Sequence, residues 1–470
     1  TPDVTTPDVT TPDVTTPDVT TPDTETLRFD NGCGGFSADG SEYVIRLRWH
    51  DGRLRLPPLP WINVLANPGF GTLVSETGAG CTWSVNSHQR RLTPWANDPV
   101  LDPPQETLWL QDLGANRQWS PLPIAGEPAY PEGGLGGKPL RTCSPPPYEV
   151  RHGFGRSVFL HTREGLRQRT TVFVHRSLPV KIVRLEITEL LGRPRTLRLT
   201  ARHPLVLGFQ PEETRPHLQV GAEPARRLLL ARNPLAGDFA GRVTFATLVT
   251  GGELQQPYWN CGEGRDFHQQ LRWSQAAGGT VAVSILFGDV ASETDLEALL
   301  TGLDSDEALR SALAEVEEFW TDLLGTVQVE TPVPAIDVML NGWLLYQTLA
   351  CRMWGRTALY QSSGAFGFRD QLQDSGAFLT VRPELTRSQI LLHASRQFVE
   401  GDVQHWWHEA PLDRGLRTRF ADDLNWLPLL TAQYIEATGD HPVLDETIPF
   451  LTARTLAEGE DEAYLQAVPS

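Results

Sequence analysis

The sequence predicts a multidomain protein of the β plus α class, with an antiparallel β-sandwich followed by a helical linker and part of a helical toroid. Short alternating or β-branched runs fill the first 290 residues, and the apolar period then changes to about 3.6, which is typical of helices. The chain of 470 residues also exceeds the size of one hydrophobic core. At least two domains are therefore expected.

The chain opens with four copies of Thr-Pro-Asp-Val-Thr and a shortened fifth copy, which together form residues 1–24. A proline at every fifth position prevents a regular helix or a central strand. A unit this polar cannot bury enough surface to fold. We therefore expect a disordered leader, and the opening has no basic and apolar segments of a signal peptide.

Residues 25–290 are predicted to form the β-sandwich, because many short strands separated by Gly, Pro and Asn clusters are typical of that architecture. The runs are Tyr43–Trp49, Ser157–Thr162, Arg169–His175, Val180–Thr188, Thr196–Arg202, Gly241–Thr250 and Thr280–Phe287. The Pro- and Gly-rich stretches Leu56–Gly71 and Pro121–Pro147 are too long for tight turns. They are predicted to be long loops, of the kind that often carry function.

Residues 291–331 are predicted to be a linker of two helices, and residues 332–470 the first part of an α/α toroid, with a site built from loops at one end. The linker helices are Glu293–Thr301 and Glu307–Gly325. The toroid helices are Ala335–Met353, Asp370–Leu379, Leu385–Glu400, Asp422–Thr438 and His441–Thr452.

Charge and cysteine content exclude several classes of partner and site. A net charge of −18 disfavours nucleic acids and anionic membrane surfaces. No stretch has the roughly 20 apolar residues that cross a bilayer. The five cysteines are odd in number and far apart, which argues against a disulfide framework and favours the cytoplasm.

The first candidate site is the segment Gly367-Phe368-Arg369-Asp370-Gln371-Leu372-Gln373-Asp374. Asp370 is predicted to open a helix. Arg369 and Gln373 share one helix face, as do Asp370 and Asp374, so the segment could present carboxylates and amides to sugar hydroxyls. The alternative is that Asp370 only caps the helix.

The second candidate site runs from His405-Trp406-Trp407-His408 to Phe420-Ala421-Asp422-Asp423. Aromatic rings beside polar groups suit sugars, whose C–H faces stack on indoles. Crowding by these rings would desolvate Asp422 or Asp423 and raise its pKa, as a general acid requires, while the other carboxylate caps the helix. His405 and His408 have helical spacing but lack a third ligand cluster, so no metal site is predicted.

Three long motifs resemble glycoside hydrolase family 94, the cellobiose and chitobiose phosphorylase group. They are GFGTLVSETGAGCTWSVNSHQRRLTPWANDPV (69–100), YQSSGAFGFRDQLQD (360–374) and HWWHEAPLDRGLRTRFADDLNWLP (405–428). The resemblance is strongest to the phosphorylase-like region of cyclic β-1,2-glucan synthases. It implies a β-sandwich, a helical linker and an (α/α)6 barrel over residues 26–470.

The resemblance also implies roles for single residues. The first Asp of the family's F/W-x-D-D motif is the general acid, which corresponds to Asp422, with Phe420 beside the donor sugar. The Asp of GFRD binds donor-sugar hydroxyls, which corresponds to Asp370. Arg369, Gln373, Trp406, Trp407 and Asp423 are then expected to help bind substrate. Cellobiose phosphorylases carry an Arg where this chain has Gly364, which favours the β-1,2-glucan branch.

The activity implied is inverting phosphorolysis of a β-linked glucan, with phosphate as co-substrate, α-glucose 1-phosphate as product and no cofactor. Expected partners are a β-glucan and phosphate, with a possible homodimer or tethered synthase domains. The family's phosphate-binding residues lie largely in the second half of the barrel, beyond Ser470, so we expect an incomplete copy. The alternatives are an inverting glucan hydrolase, which needs a second carboxylate to activate water, and an inactive scaffold or glucan-binding fragment.

Because residues 1–24 offer no apolar face to bury, limited proteolysis should remove them without changing the melting temperature of the remaining chain. Mass spectrometry of the digest and a thermal melt before and after digestion check this expectation. Protection of the segment from protease would contradict it.

Overall fold

The β-sandwich and the helical region that follows it are both present in the structure, a computed structural model that describes residues 25–51, 53–124, 147–251, 255–261 and 265–470. Side chains are described for all of these except 255–261. The repeat at residues 1–24 and most of the predicted loop Pro121–Pro147 lie outside the described residues. The predicted β plus α fold class is confirmed.

The sandwich consists of an 11-stranded antiparallel sheet facing sheets of five and three strands. The large sheet runs, in spatial order, Gly34–Phe36, Glu42–His50, Tyr148–Gly153, Arg156–Arg163, Leu166–Val174, Val180–Glu189, Thr280–Val290, Val243–Gly251, Leu228–Arg232 and Gln219–Glu223, with Arg53–Arg55 paired to Glu42–His50. The five-stranded sheet runs Gln255–Cys261, Phe267–Gln275, Arg195–His203, Thr107–Asp112 and Arg117–Trp119. The third sheet is Ile62–Asn67, Phe70–Ser75 and Gly80–Ser84.

All seven strands predicted from the sequence are present, but Leu56–Gly71 is not a loop. It contains the strand Ile62–Asn67 and the start of Phe70–Ser75. Every residue of Phe70–Ser75 is buried. A strand buried on both faces has no alternation of polar and apolar residues, so the period-2 signal is lost.

Two helices follow the sandwich and pack against the large sheet, as expected of the linker. They are Glu293–Gly302 and Asp306–Gly325, and the hydroxyls of Ser292 and Ser305 accept backbone N–H groups at their N-termini. Leu309, Val316 and Trp320 of the second helix share one apolar cluster with Val180 and Phe245 of the sheet. The linker is therefore part of the core.

In the described part of the helical region, a long helical run is followed by three helices and two 3-10 turns. The run comprises Pro334–Val338, a π-helical stretch Met339–Trp343, Leu344–Gln347 and a second π-helical stretch Thr348–Gly355. Next come Phe368–Ser375, Pro383–Ala394 and Asp423–Thr438, with 3-10 turns at Gly376–Phe378 and His441–Asp445. A four-stranded sheet of Phe366–Gly367, Gln404–His408, Arg414–Thr418 and Glu462–Gln466 lies among them, and Leu451–Thr452 pairs with Val468–Pro469.

Three predicted helices differ from the observed ones. Asp370 does not open its helix, because Gly367 is the N-cap residue and Asp370 is the third helical residue. The helix predicted at Leu385–Glu400 ends at Ala394, and His441–Thr452 has only a 3-10 turn. Pro449 lacks a backbone N–H, which disfavours a helix through 441–452.

The sandwich and the helical region are joined by buried contacts. The hydroxyl of Tyr346 donates to Asn63 Oδ1 at 2.8 Å, and the indole N–H of Trp343 donates to the carbonyl of Gly40 at 2.8 Å. The ring of Phe154 lies 4.9 Å from Trp343 and 5.2 Å from Tyr346. No helix among the described residues combines the length and apolar character needed to cross a membrane.

A fully buried ion pair fixes the loop after the strand Gly80–Ser84 to the large sheet. Arg90 Nη2 donates to Asp289 Oδ1 at 2.8 Å, and neither side chain is exposed. Arg242 binds the second oxygen of Asp289, and the Thr244 hydroxyl donates to the first at 2.7 Å. Burial alone raises the pKa of Asp289, but the charges of Arg90 and Arg242 outweigh it and hold the pKa at about 2.

Changing Asp289→Asn should lower the free energy of unfolding by about 3–5 kcal/mol at pH 7, because it leaves a buried arginine without its counter-charge. Urea denaturation measures the loss. As a matched control, Glu297→Gln removes one partner of an exposed ion pair with Arg226 and should cost less than about 1 kcal/mol.

The difference between Asp289→Asn and wild type should persist above the ordinary Asp pKa of about 3.9. It should shrink as the pH falls from there toward 2, where Asp289 of the folded protein takes up its proton. A loss no larger than that of the control at pH 7 would contradict the structural role of this pair.

Candidate active site

A cavity of about 510 Å³ lies where the sandwich meets the helical region. A volume of this size suits a small-molecule ligand such as one or two sugar rings. One lining residue comes from the sandwich and the others from the helical region. They are His88, Cys351, Arg352, Arg356, Thr357, Ala358, Gln361, Ser363, Ala365, Gly367, Asp370, Gln371, Trp406 and His408.

Asp370 lies in this cavity, and its position depends on a glycine. A Cβ atom at Gly367 would lie 2.1 Å from Asp370 Oδ2, so a larger residue there would force the carboxylate out of its present position. At the start of this helix, the side chain of Gln371 accepts the backbone N–H of Gly367 at 2.5 Å. Gln371, and not Asp370, therefore bonds the backbone there. Asp370 makes no side-chain capping bond, is half exposed and has only a 3.5 Å contact with Arg352. Its carboxylate is available to a ligand.

The carboxylate of Asp422 forms an ion pair with Arg369, the residue before Asp370. Arg369 Nη1 lies 2.5 Å from Asp422 Oδ2, and both side chains are nearly half exposed. The hydrogen bond from Arg369 lowers the pKa of Asp422 below its ordinary value. Asp422, Asp423 and Arg369 do not line the cavity, and Arg369 is next to it only as the chain neighbour of Asp370.

Asp423 has the opposite environment. Its side chain is buried, Oδ2 lies 2.7 Å from His405 Nδ1, and Oδ1 has no hydrogen-bond partner among the described residues. Burial raises the pKa of Asp423, and the hydrogen bond from His405 only partly opposes that shift. Of the two adjacent carboxylates, the desolvated one is thus Asp423, whereas the resemblance assigns the general acid to Asp422.

Neither Asp422 nor Asp423 caps the helix Asp423–Thr438 with its side chain. Asp422 occupies the N-cap position but has helical backbone angles, φ −71° and ψ −31°, and makes no side-chain cap bond. The prediction that one of these two carboxylates caps the helix is therefore wrong. The Asp422 carboxylate instead pairs with Arg369.

The two adjacent tryptophans of the second candidate site point to opposite sides of a strand. Gln404–His408 is a β-strand, so successive side chains alternate. Trp406 lines the cavity, with Tyr464 5.3 Å from its ring. Trp407 is fully buried and stacks on Phe366 at 5.5 Å, so the expectation that Trp407 binds sugar is corrected to a core role.

Phe420 and Gln373 also lie away from the cavity wall. Phe420 is 57% exposed and stacks on His405 with ring centroids 4.7 Å apart. Gln373 is exposed and does not line the cavity, because the opposite face of its helix, with Gln371, is the one that does. Phe420 therefore stays near the Asp423–His405 pair, whereas Gln373 faces solvent.

The sequence did not predict two residues of the cavity wall, His88 from the sandwich and Arg356 from the helical region. His88 lies inside the first of the three long motifs, but no chemistry-bearing neighbours marked it. Arg356 is nearly fully buried, and its guanidinium donates to the Gly364 carbonyl at 2.8 Å and pairs with Glu409. It has a left-handed backbone, φ 46°, which ends the long helical run and which no sequence pattern indicated.

The two histidines of the second candidate site do not have the helical spacing that their separation in the sequence suggested. His405 and His408 lie on a strand rather than on a helix face. Within the described ranges, no group of three or more His, Cys, Asp or Glu side chains is arranged to hold a metal ion.

Comparison with protein families matches two successive parts of the chain. Residues 41–261 match the supersandwich domain of glycosyl hydrolase family 94, and residues 319–468 match the catalytic domain of the same superfamily. These matches cover the sandwich, which supplies His88, and the helical region, which supplies Asp370 and Asp422.

Individual relatives agree with the family match. The chain is 37% identical to the cyclic beta-(1,2)-glucan synthase NdvB of Rhizobium meliloti (strain 1021), over 93% of the chain and 16% of that protein. It is 22% identical to the N,N'-diacetylchitobiose phosphorylase of Vibrio furnissii, over 92% of the chain and 58% of that protein. The chain thus spans less than two thirds of the length of either relative.

A solved structure shares the fold. A kojibiose phosphorylase candidate from the human microbiome superimposes with a TM-score of 0.53 at 8% identity, covering 86% of this chain and 57% of that one. The matches to both domains of the family, over residues 41–261 and 319–468, show that the chain belongs to glycosyl hydrolase family 94.

Proposed function

We propose that this chain carries the donor-sugar and proton-transfer part of a site for inverting phosphorolysis of a β-linked glucan, and that the glucan is β-1,2-linked. The observation that carries the proposal is the cavity that joins Asp370 and Trp406, with the Asp422–Arg369 pair next to it. The name of the relative from Rhizobium meliloti supports the β-1,2 linkage. A cytoplasmic location is part of the same proposal.

The cavity offers a sugar both of the contacts that sugars require. The indole of Trp406 gives an apolar surface for the C–H face of a ring, and the half-exposed carboxylate of Asp370 accepts hydrogen bonds from hydroxyls. Gln361 and His408 add further polar groups to the wall. This combination of one aromatic face and a few polar groups is typical of ligand pockets.

One proton-donating carboxylate is enough for phosphorolysis, because phosphate is already an anion and needs no general base. Asp422 donates its proton to the glycosidic oxygen, and the bond from C1 to that oxygen breaks with its electron pair remaining on the oxygen. A phosphate oxygen forms the new bond to C1 from the opposite face. The products are α-glucose 1-phosphate and a glucan shortened by one unit.

The proposed reaction needs an ionised Asp422 for synthesis and a protonated Asp422 for phosphorolysis. Whether Arg369 is paired with Asp422 decides which of the two states is favoured. In the ligand-free protein, Arg369 keeps Asp422 ionised, which is the form that removes a proton from an acceptor hydroxyl during synthesis. For phosphorolysis, Arg369 must leave Asp422, and an anionic phosphate competes for its guanidinium. In this proposal, phosphate binding therefore favours protonation of Asp422.

Changing Asp370→Asn should weaken binding of β-1,2-linked glucose disaccharide by about 10- to 100-fold, because it removes a charged hydrogen-bond acceptor. The free energy of unfolding should change by less than about 0.5 kcal/mol, because Asp370 makes no capping bond. Calorimetric titration and urea denaturation measure the two quantities.

Asp374→Asn is the matched control for this variant. Asp374 lies one turn further along the same helix, pairs with the same Arg352 at 2.8 Å and does not line the cavity. This control should bind the disaccharide like wild type. An Asp370→Asn variant that loses stability but keeps its affinity for the disaccharide would show that Asp370 has only a structural role.

If Asp422 is the general acid, Asp422→Asn should lower turnover of β-glucan and phosphate by about 10²- to 10⁴-fold while substrate still binds. A glucosyl fluoride donor should recover most of that loss, because its leaving group needs no proton. Release of glucose 1-phosphate measures turnover.

Asp423→Asn, which breaks the buried bond to His405, should give a smaller loss that the fluoride donor does not repair. The opposite pattern, with the leaving-group dependence in Asp423→Asn, would move the acid role to Asp423. Release of glucose at equal rates with and without phosphate would contradict phosphorolysis itself.

A further inference from the structure

The wall that the sandwich contributes to the cavity is a short rigid segment, residues 85–91, here called the sandwich loop. Asn86 Oδ1 accepts the backbone N–H groups of His88 and Gln89, both at 3.0 Å, and the Arg90 N–H donates to the Asn86 carbonyl at 3.1 Å. Arg90 is itself fixed by its buried ion pair with Asp289. The backbone around His88 is therefore ordered before any ligand binds.

The sandwich loop fits against the helical region so closely that one position there must be glycine. Asn86 Nδ2 donates to the Gly364 carbonyl at 2.9 Å and to Glu409 at 3.2 Å. Gly364 has φ +65°, and a Cβ atom there would lie 2.2 Å from Asn86 Oδ1. The Ser362 hydroxyl donates to the Ser87 carbonyl at 2.7 Å. These contacts hold the sandwich loop, and with it the lining residue His88, against the helical region.

The imidazole of His88 is fixed in one orientation and keeps one free donor. Its ring packs on Phe209 at 4.2 Å and lies parallel to His408 at 6.3 Å. Gln89 Nε2 donates to Nδ1 at 3.0 Å, which places the proton of a neutral ring on Nε2. Nε2 has no partner among the residues that the structure describes.

The charge state of His88 also suits a neutral ligand. Burial lowers the pKa of His88 to about 4, and the charges of Arg91 and His408 act in the same direction. The ring is therefore uncharged near neutral pH. A neutral N–H donor beside the Trp406 surface suits a sugar hydroxyl better than an anion.

We propose that His88 of the sandwich loop binds a hydroxyl of the glucan in the cavity through its Nε2–H group and helps to select which β-glucan is accepted. The inference rests on the proposed function for the class of ligand and adds the sandwich domain to the binding site. His88 is a specificity-determining residue and takes no part in proton transfer to the glycosidic oxygen.

The test compares His88→Ala and His88→Gln with wild type by calorimetric titration of β-1,2-linked and β-1,4-linked glucose trisaccharides. His88→Ala should weaken binding of the β-1,2-linked trisaccharide by about 3- to 10-fold, as expected for the loss of one hydrogen bond, and should reduce the preference over the β-1,4-linked one. His88→Gln, which retains an N–H donor, should recover most of the loss. His217→Ala, at an exposed histidine outside the cavity, is the control.

A second measurement uses the wild-type chain, so that a folding defect in a variant cannot decide the outcome. In protein labelled with ¹⁵N-histidine, the Nε2 resonance assigned to His88 should shift when the β-1,2-linked trisaccharide is added. Unchanged affinity in His88→Ala, an unshifted resonance, or a wild-type chain that binds neither trisaccharide would each overturn the inference.

The outcomes also separate this inference from the proposed function. Glucan binding that depends on His88, without phosphate-dependent release of glucose 1-phosphate, would contradict phosphorolysis and support the role of His88. Phosphate-dependent product release that is equally selective in His88→Ala would support phosphorolysis and overturn the role of His88.

Discussion

The shape of the cavity depends on the buried ion pair between Arg90 and Asp289. Asp289 lies near the end of the strand Thr280–Val290 in the large sheet, and Arg90 lies near the C-terminal end of the sandwich loop. Because a buried arginine without a counter-charge is costly, this end of the loop cannot move away from the sheet. The other end is then held at a fixed place, where Asn86 meets Gly364. The sheet thereby determines where the sandwich and the helical region touch.

Two adjacent carboxylates show how packing can give neighbouring residues different chemistry. Asp422 is exposed and pairs with a guanidinium, so its pKa is lowered, whereas Asp423 is buried against His405, so its pKa is raised. The backbone places Asp423 inside the helix start and Asp422 just outside it. A ligand that displaced Arg369 would remove the largest cause of the lowered pKa of Asp422, whereas Arg369 is only a minor cause at Asp423, where burial dominates. Of the two carboxylates, Asp422 is thus the one whose pKa depends more strongly on Arg369.

The sequence predicted most of the fold but less of the site. Strands whose polar and apolar residues alternate, such as Arg195–His203, agree with the sequence prediction to within a residue at each end. The fully buried strand Phe70–Ser75 has no such alternation, and its first two residues fall in the predicted loop Leu56–Gly71. Asp370 and Trp406 were found because their residue types fit sugar chemistry. Trp407 has the same residue type and local context, and only the strand geometry shows that it belongs to the core.

His88 and Arg356 could not be predicted because their roles depend on contacts between distant parts of the chain. The segment Gly364-Ala365-Phe366-Gly367 shows why such contacts leave so little trace in one sequence. Its two glycines each lie against a polar side chain, Asn86 at one end and Asp370 at the other, at distances that exclude a Cβ atom. In the sequence alone they look like ordinary turn residues. In the folded chain, the glycine at 364 leaves space for the sandwich loop and the glycine at 367 leaves space for the carboxylate of Asp370. The small residues of this segment therefore define the cavity as much as the polar residues do.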